Sequence, residues 1–150
     1  MNKDKFVNEE NTKQRGRTAD EYSKVIEKIE KDGVCPFCSE QLNKYHKNPI
    51  IEVTKYWLVT ENMYPYDGAR VHLLFIHKEH ISSLREINSK AWEELQLLSK
   101  RMIDKYEIKG GTLFMRFGDT NFNGASVSHL HAQLVTPHKN NEKPILTRIG

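Results

Sequence analysis

The stretch Ser128-His129-Leu130-His131-Ala132-Gln133-Leu134-Val135 restricts the fold more than any other part of the chain. Alternate side chains of a β-strand share a face, so His129, His131 and Gln133 project together while Leu130, Ala132 and Leu134 turn the other way. Such a strand needs an apolar layer against one face and leaves three polar groups as a wall on the other. A single histidine on a strand is usually structural, and His46 and His138 are read that way. Two histidines and a glutamine on one face, after a glycine-bearing loop, read as a site.

The partners of that strand are legible by period. Residues 50–60 are rich in β-branched and aromatic side chains and run into Glu61-Asn62-Met63-Tyr64-Pro65-Tyr66-Asp67-Gly68, which is turn chemistry; one or two strands are expected there. Val71–Ile76 is nearly continuous in apolar residues and predicts a central strand. Thr112–Phe117 predicts another strand, Gly118–Gly124 a polar loop, and Ser126–Val135 the last strand. Between them, residues 88–106 carry Ala91, Leu95, Leu98 and Met102 on one helical stripe, with Gly110-Gly111 as terminator. The expected fold is α+β, an antiparallel sheet of about five strands with the long helix on one face.

A chain of 150 residues can bury enough surface to fold as one domain without disulfide staples. Residues 1–17 hold only Phe6 and Val7 as sizeable apolar groups and are expected to form a flexible arm, with a single domain over 18–150. Thr18 and Glu21 spell a capping box for a short amphipathic helix carrying Tyr22, Val25, Ile26 and Ile29 and stopped at Gly33. A net charge of +3 suits an anionic ligand and falls short of a nucleic-acid-binding face. With no long apolar window, no membrane partner is expected, and the polar start predicts a cytoplasmic protein. The two cysteines, in Cys35-Pro36-Phe37-Cys38, argue for a metal site or a redox pair over a structural disulfide.

His129-Leu130-His131-Ala132-Gln133-Leu134-Val135 resembles the signature of the histidine triad superfamily, in which the middle histidine attacks the α-phosphate of a nucleotide. Val71–Ile81 resembles the strand and turn before that family's long helix, and Gly124-Ala125-Ser126-Val127 its phosphate loop. The resemblance covers roughly residues 35 to 136 and implies a nucleotidyl hydrolase or transferase. Dinucleoside polyphosphates, nucleoside phosphoramidates and nucleotide sugars are the substrate types it brings. His131 is then the nucleophile. Ser126, backbone amides over Gly124–Val127 and the Gln133 amide would supply fixed donors to the phosphate oxygens. Asn62 resembles the ribose-contacting position. Gln133 departs from the triad's third histidine, as in the hexose-1-phosphate nucleotidyltransferases, which tilts the reading toward transfer. By resemblance to zinc-bearing members, His80 and His129 join Cys35 and Cys38 as ligands of a structural Zn2+. A two-fold homodimer is expected on the same ground.

Two other functions compete. One is a non-catalytic nucleotide-binding or sensing module. The other is a thiol oxidoreductase built on the Cys35–Cys38 pair, disfavoured because no buried strand precedes the motif. His77 reads as a substrate-facing extra, a spare metal ligand or a surface residue, and the surface is the expected place. His72 reads equally as a buried positioning residue or a catalytic one. Lys78, Arg70 and Arg116 are candidates to approach phosphates but, at strand ends, are read as solvated, and Trp57 and Phe37 either flank a nucleobase or belong to the core.

Overall fold

A computed structural model describes residues 5–12, 19–140 and 142–150. Five strands form one antiparallel sheet: β1 (Ile50–Val53), β2 (Trp57–Glu61), β3 (Ala69–His77), β4 (Thr112–Met115) and β5 (His131–Pro137). Their spatial order is β1-β2-β3-β5-β4. The apolar run of β3 takes the central place, as its composition requires, because both of its faces are covered.

Helices cover both faces. On one side lies α3 (Ser89–Lys105), started by Asn88, whose side-chain oxygen accepts the Ala91 N–H. Its stripe of Ala91, Leu95, Leu98 and Met102 packs on Trp57, Val59, Leu73, Phe75, Leu130, Ala132 and Leu134. The Trp57 indole N–H donates to the Ala91 carbonyl at 2.7 Å, which pins the helix to β2 and places Trp57 in the core. On the other side lie α1 (Ala19–Asp32) and α2 (Ser39–Tyr45). α1 ends at Gly33, whose φ of +65° is the left-handed stop expected there. Thr18, the expected cap, lies outside the described residues.

Two expectations change. The last strand is shorter than Ser126–Val135, because residues 126–130 leave the ladder. The Ser128 N–H donates to the Phe6 carbonyl and the Leu130 N–H to the Ile81 carbonyl. Of the expected arm, residues 1–4 and 13–17 lie outside the described residues, but 5–12 are packed, not loose. Val7 is buried and bridges Val127. The buried Asn11 donates from Nδ2 to the carbonyls of Thr120 (2.8 Å) and Ala125 (2.6 Å). Counting apolar residues misses this, because the segment is held by amides that satisfy another loop's backbone.

That loop runs through a short helix, α4 (Thr120–Asn123), into the residues before β5. Asn11→Ala is expected to leave two buried carbonyls without their donor and cost about 2 kcal/mol. For a domain of this size that lowers Tm by about 4–8 °C. An unchanged melting curve would mean that water replaces the amide at no cost.

Candidate functional site

β5 and β3 put three of the predicted residues on the face away from α3. The pairs Ile76–His131, Leu74–Gln133 and His72–Val135 face one another across the ladder, so His72, His131 and Gln133 share that face. All three are at least nine-tenths buried. His131 Nδ1 lies 2.7 Å from the His129 carbonyl oxygen, which can only accept. The proton of the neutral ring therefore sits on Nδ1, which places its lone pair on Nε2.

Gln133 is oriented just as tightly. The Tyr66 backbone N–H donates to His72 Nδ1 at 3.1 Å, so the neutral ring carries its proton on Nε2. That N–H donates to Gln133 Oε1 at 2.7 Å. With its oxygen so engaged, Gln133 has its NH2 end for the cleft that it lines. His72 is thus buried and hydrogen-bonded to Gln133, the contact that the positioning reading of its sequence context requires. His77, expected at the surface, is instead buried edge-on to Trp57 at 5.0 Å, because β3 runs one residue further under the turn at 78–81 than its apolar run suggests.

The cleft is lined by His131, Gln133, Asn62, Ser126, Val127 and Arg116, with an apolar wall from α1, Phe37 and Leu74. Its free space is about 70 Å³. Tyr22 of α1 reaches across it, making a short hydrogen bond to the Ser126 hydroxyl and a tilted ring contact with Tyr64 at 5.0 Å. Asn62 Oδ1 accepts the Tyr64 N–H at 2.8 Å and so shapes the loop as well as lining the cleft. In the phosphate-loop segment the Ala125 N–H is taken by Asn123 Oδ1 at 2.8 Å, which removes it from the expected donors. Gly124 has a φ of +71°, and a Cβ there would meet Arg148 of the tail at 3.3 Å.

His129 does not stand beside His131 on the strand, because the chain bends before β5 begins. Its ring turns into a cluster with Cys35, Cys38 and His80, whose ligand atoms all lie within 4.8 Å of one another. His129 Nδ1 is 3.3 Å from Cys35 Sγ and 3.2 Å from His80 Nδ1, and Cys38 Sγ is 3.3 Å from His80 Nδ1. A zinc tetrahedron with ordinary bond lengths separates nitrogen from nitrogen by about 3.3 Å and sulfur from nitrogen by about 3.6 Å. The donor set fits that ion in type, number and spacing. His129 Nε2–H donates to the His77 carbonyl at 2.6 Å, which leaves Nδ1 as the coordinating atom.

Burial holds His129 down to about 4, so it is neutral at pH 7. Burial pushes the Cys35 thiol up to about 12, the reverse of what an activated redox cysteine needs. The helix beginning after the motif, moreover, has Cys38, not Cys35, at its N-cap position. Phe37, between the two cysteines, stands edge-on to His129 at 6.1 Å and to His131 at 5.1 Å, so the cluster and the cleft share a wall.

Sequence reasoning missed Tyr22, Tyr64 and His46 as cleft residues and read Arg116 as solvated. Arg116 had a usable signal. β4 and β5 pair Phe114 with Gln133 and Met115 with Ala132, so one residue further Arg116 falls opposite His131.

The profile described as "Scavenger mRNA decapping enzyme C-term binding" matches residues 34–144. Among solved structures, the chain is similar to a HIT family hydrolase from Clostridium thermocellum (25% identity, 70% of this chain and 91% of that chain, TM-score 0.51). It is also similar to a Zn-bound histidine triad family protein from Mycobacterium smegmatis (20% identity, 77% and 82%, TM-score 0.56). A third is the histidine triad nucleotide-binding protein from Candida albicans (16% identity, 77% and 86%, TM-score 0.59). No curated protein matches significantly.

Proposed function

Because the chain belongs to the histidine triad superfamily, through the scavenger mRNA decapping enzyme C-terminal family, we propose that it cleaves or transfers nucleotidyl groups at the α-phosphate of a nucleotide substrate. The observation that carries this is the state of His131, a buried imidazole with its Nδ1 proton held by a carbonyl and its Nε2 lone pair at the cleft. Attack by Nε2 forms a P–N bond and breaks the bond from phosphorus to the leaving group. The pair of electrons departs with that group, and water or a second phosphate later displaces His131. The Gln133 NH2 and the Ser126 hydroxyl face the oxygens on which charge develops, once Tyr22 has given up its bond to Ser126.

Cys35, Cys38, His80 and His129 would hold a structural zinc, which cross-links the segment at 35–38 to the turn after β3 and the approach to β5. No helix among the described residues is long and apolar enough to cross a membrane. The reading includes a cytoplasmic location, suited to unpaired cysteines, and a two-fold dimer carried over from the family resemblance. Gln133 in place of a third histidine keeps transfer beside hydrolysis, with a nucleotide sugar as donor in the first case.

The test is intact-protein mass spectrometry after brief incubation with dinucleoside polyphosphates, nucleoside phosphoramidates and nucleotide sugars. A nucleoside monophosphate adduct on the wild type, absent in His131→Ala, names the donor. The tight cover over the cleft favours a second reading, a nucleotide sensor, and bound nucleotide without adduct or turnover would select it.

A positioning role for His72 makes its own prediction. His72→Leu is expected to lower kcat by about 10–100-fold while KM moves little, because the lost donor frees the Gln133 amide to rotate. Gln133→Ala should lose as much, and the double variant no more. Additive losses would mean that the two residues act separately.

A further inference from the structure

Arg116 is the sole lysine or arginine among the described residues that line the cleft. It is also held in a fixed attitude. Its Nη2 donates to the Thr147 hydroxyl at 2.8 Å and to the Arg148 carbonyl at 2.7 Å, and the guanidinium stacks over Phe114 at 5.0 Å. Thr147 in turn donates to the Tyr66 hydroxyl at 3.0 Å, and the Tyr66 backbone fixes His72. The residues doing the holding, 147 and 148, lie beyond the segment that matches the family profile. The tail of this chain therefore aims a cation at the β4 side of His131.

We propose that Arg116, positioned by the 145–150 tail, binds the phosphates beyond the α-phosphate and makes the site selective for polyphosphate substrates. This rests on the reading of the cleft as a nucleotide site. The groups already assigned to the α-phosphate, Ser126 and the Gln133 amide, are neutral donors. They can share the charge of one phosphate but cannot offset a chain of two or three in a cleft walled by Val25, Ile26, Ile29 and Phe37. A planar guanidinium with rotation blocked is suited to bridging oxygens of neighbouring phosphates. Asn62 and Tyr64 lie toward β2 and β3, which leaves the nucleoside that side and the phosphate chain the side of Arg116.

Binding and turnover test this separately. Calorimetric titration of the full chain with ATP against AMP, and GTP against GMP, reads the preference without any catalysis. The wild type is expected to bind the triphosphate more tightly. In Arg116→Ala that preference falls by about 10–100-fold, while monophosphate affinity changes by less than about threefold. Thr147→Val, which keeps the cation and loses its anchor, is expected to lose part of the preference, and it still decides the matter if Arg116→Ala does not fold. Where turnover exists, kcat/KM on a dinucleoside polyphosphate should fall in Arg116→Ala by about 10–100-fold more than kcat/KM on a nucleoside phosphoramidate. A triphosphate preference unchanged in both variants, or mono- and triphosphate affinities falling equally, overturns the proposal. Loss of all nucleotide binding by the wild type would instead remove the reading beneath it.

Discussion

His131→Ala is expected to reduce turnover by about 10⁴-fold or more while leaving nucleotide affinity within about tenfold of wild type. Removing the nucleophile removes the route through a covalent intermediate, so what survives is the contribution of positioning and of the donors around the phosphate. The size of the loss is what separates roles. A residue that only oriented the phosphate would cost about 10²–10³, as deletion of one fixed donor does. His131→Asn keeps the polar volume and a donor for the His129 carbonyl, so it should fold like the wild type and still lack activity. Activity in His131→Asn within tenfold of wild type would mean that some other group attacks phosphorus.

The second large effect is expected from the cysteine cluster. Removing zinc by chelation, or replacing Cys35 by serine, is expected to lower stability by at least about 2.7 kcal/mol, the gain from free metal at about a hundred times its Kd. For a domain of this length the melting temperature falls by about 5–10 °C. The structure gives the loss a second arm. Phe37 lies between Cys35 and Cys38 and stands against both His129 and His131, so a loosened cluster also loosens His131. Activity should fall with metal content and return on adding Zn2+ to the chelated wild type, but not to Cys35→Ser. About one zinc per chain in the purified protein is the prior check. A metal-free protein with an unaltered melting curve would contradict the assignment.

The fold was largely legible because its elements carry strong periods. The continuous apolar run of β3, the four-residue stripe of α3 and the alternation of β5 each lead to one structure. The cluster was legible from a two-residue cysteine spacing together with a family resemblance, since spacing alone left redox chemistry open. What sequence could not supply was held by groups acting at long separation. Asn11 serves carbonyls more than a hundred residues away, and Thr147 anchors an arginine 31 residues earlier; neither leaves a local pattern. The strand start was misplaced for a related reason. The N–H groups of Ser128 and Leu130 bond to Phe6 and Ile81, and that competition for backbone partners is invisible in the alternation itself.

Tyr22 occupies the hydroxyl of Ser126 that a phosphate oxygen would otherwise take, on a helix that precedes the family-matched segment. On the proposed reading the resting protein carries an internal competitor for the phosphate, tethered beside the hydroxyl it blocks. Apparent affinity then measures how often α1 lifts as much as how well the nucleotide fits: an open fraction of about one in ten weakens binding about tenfold. Whatever grips that helix from outside would tune the chemistry proposed for His131 without touching it.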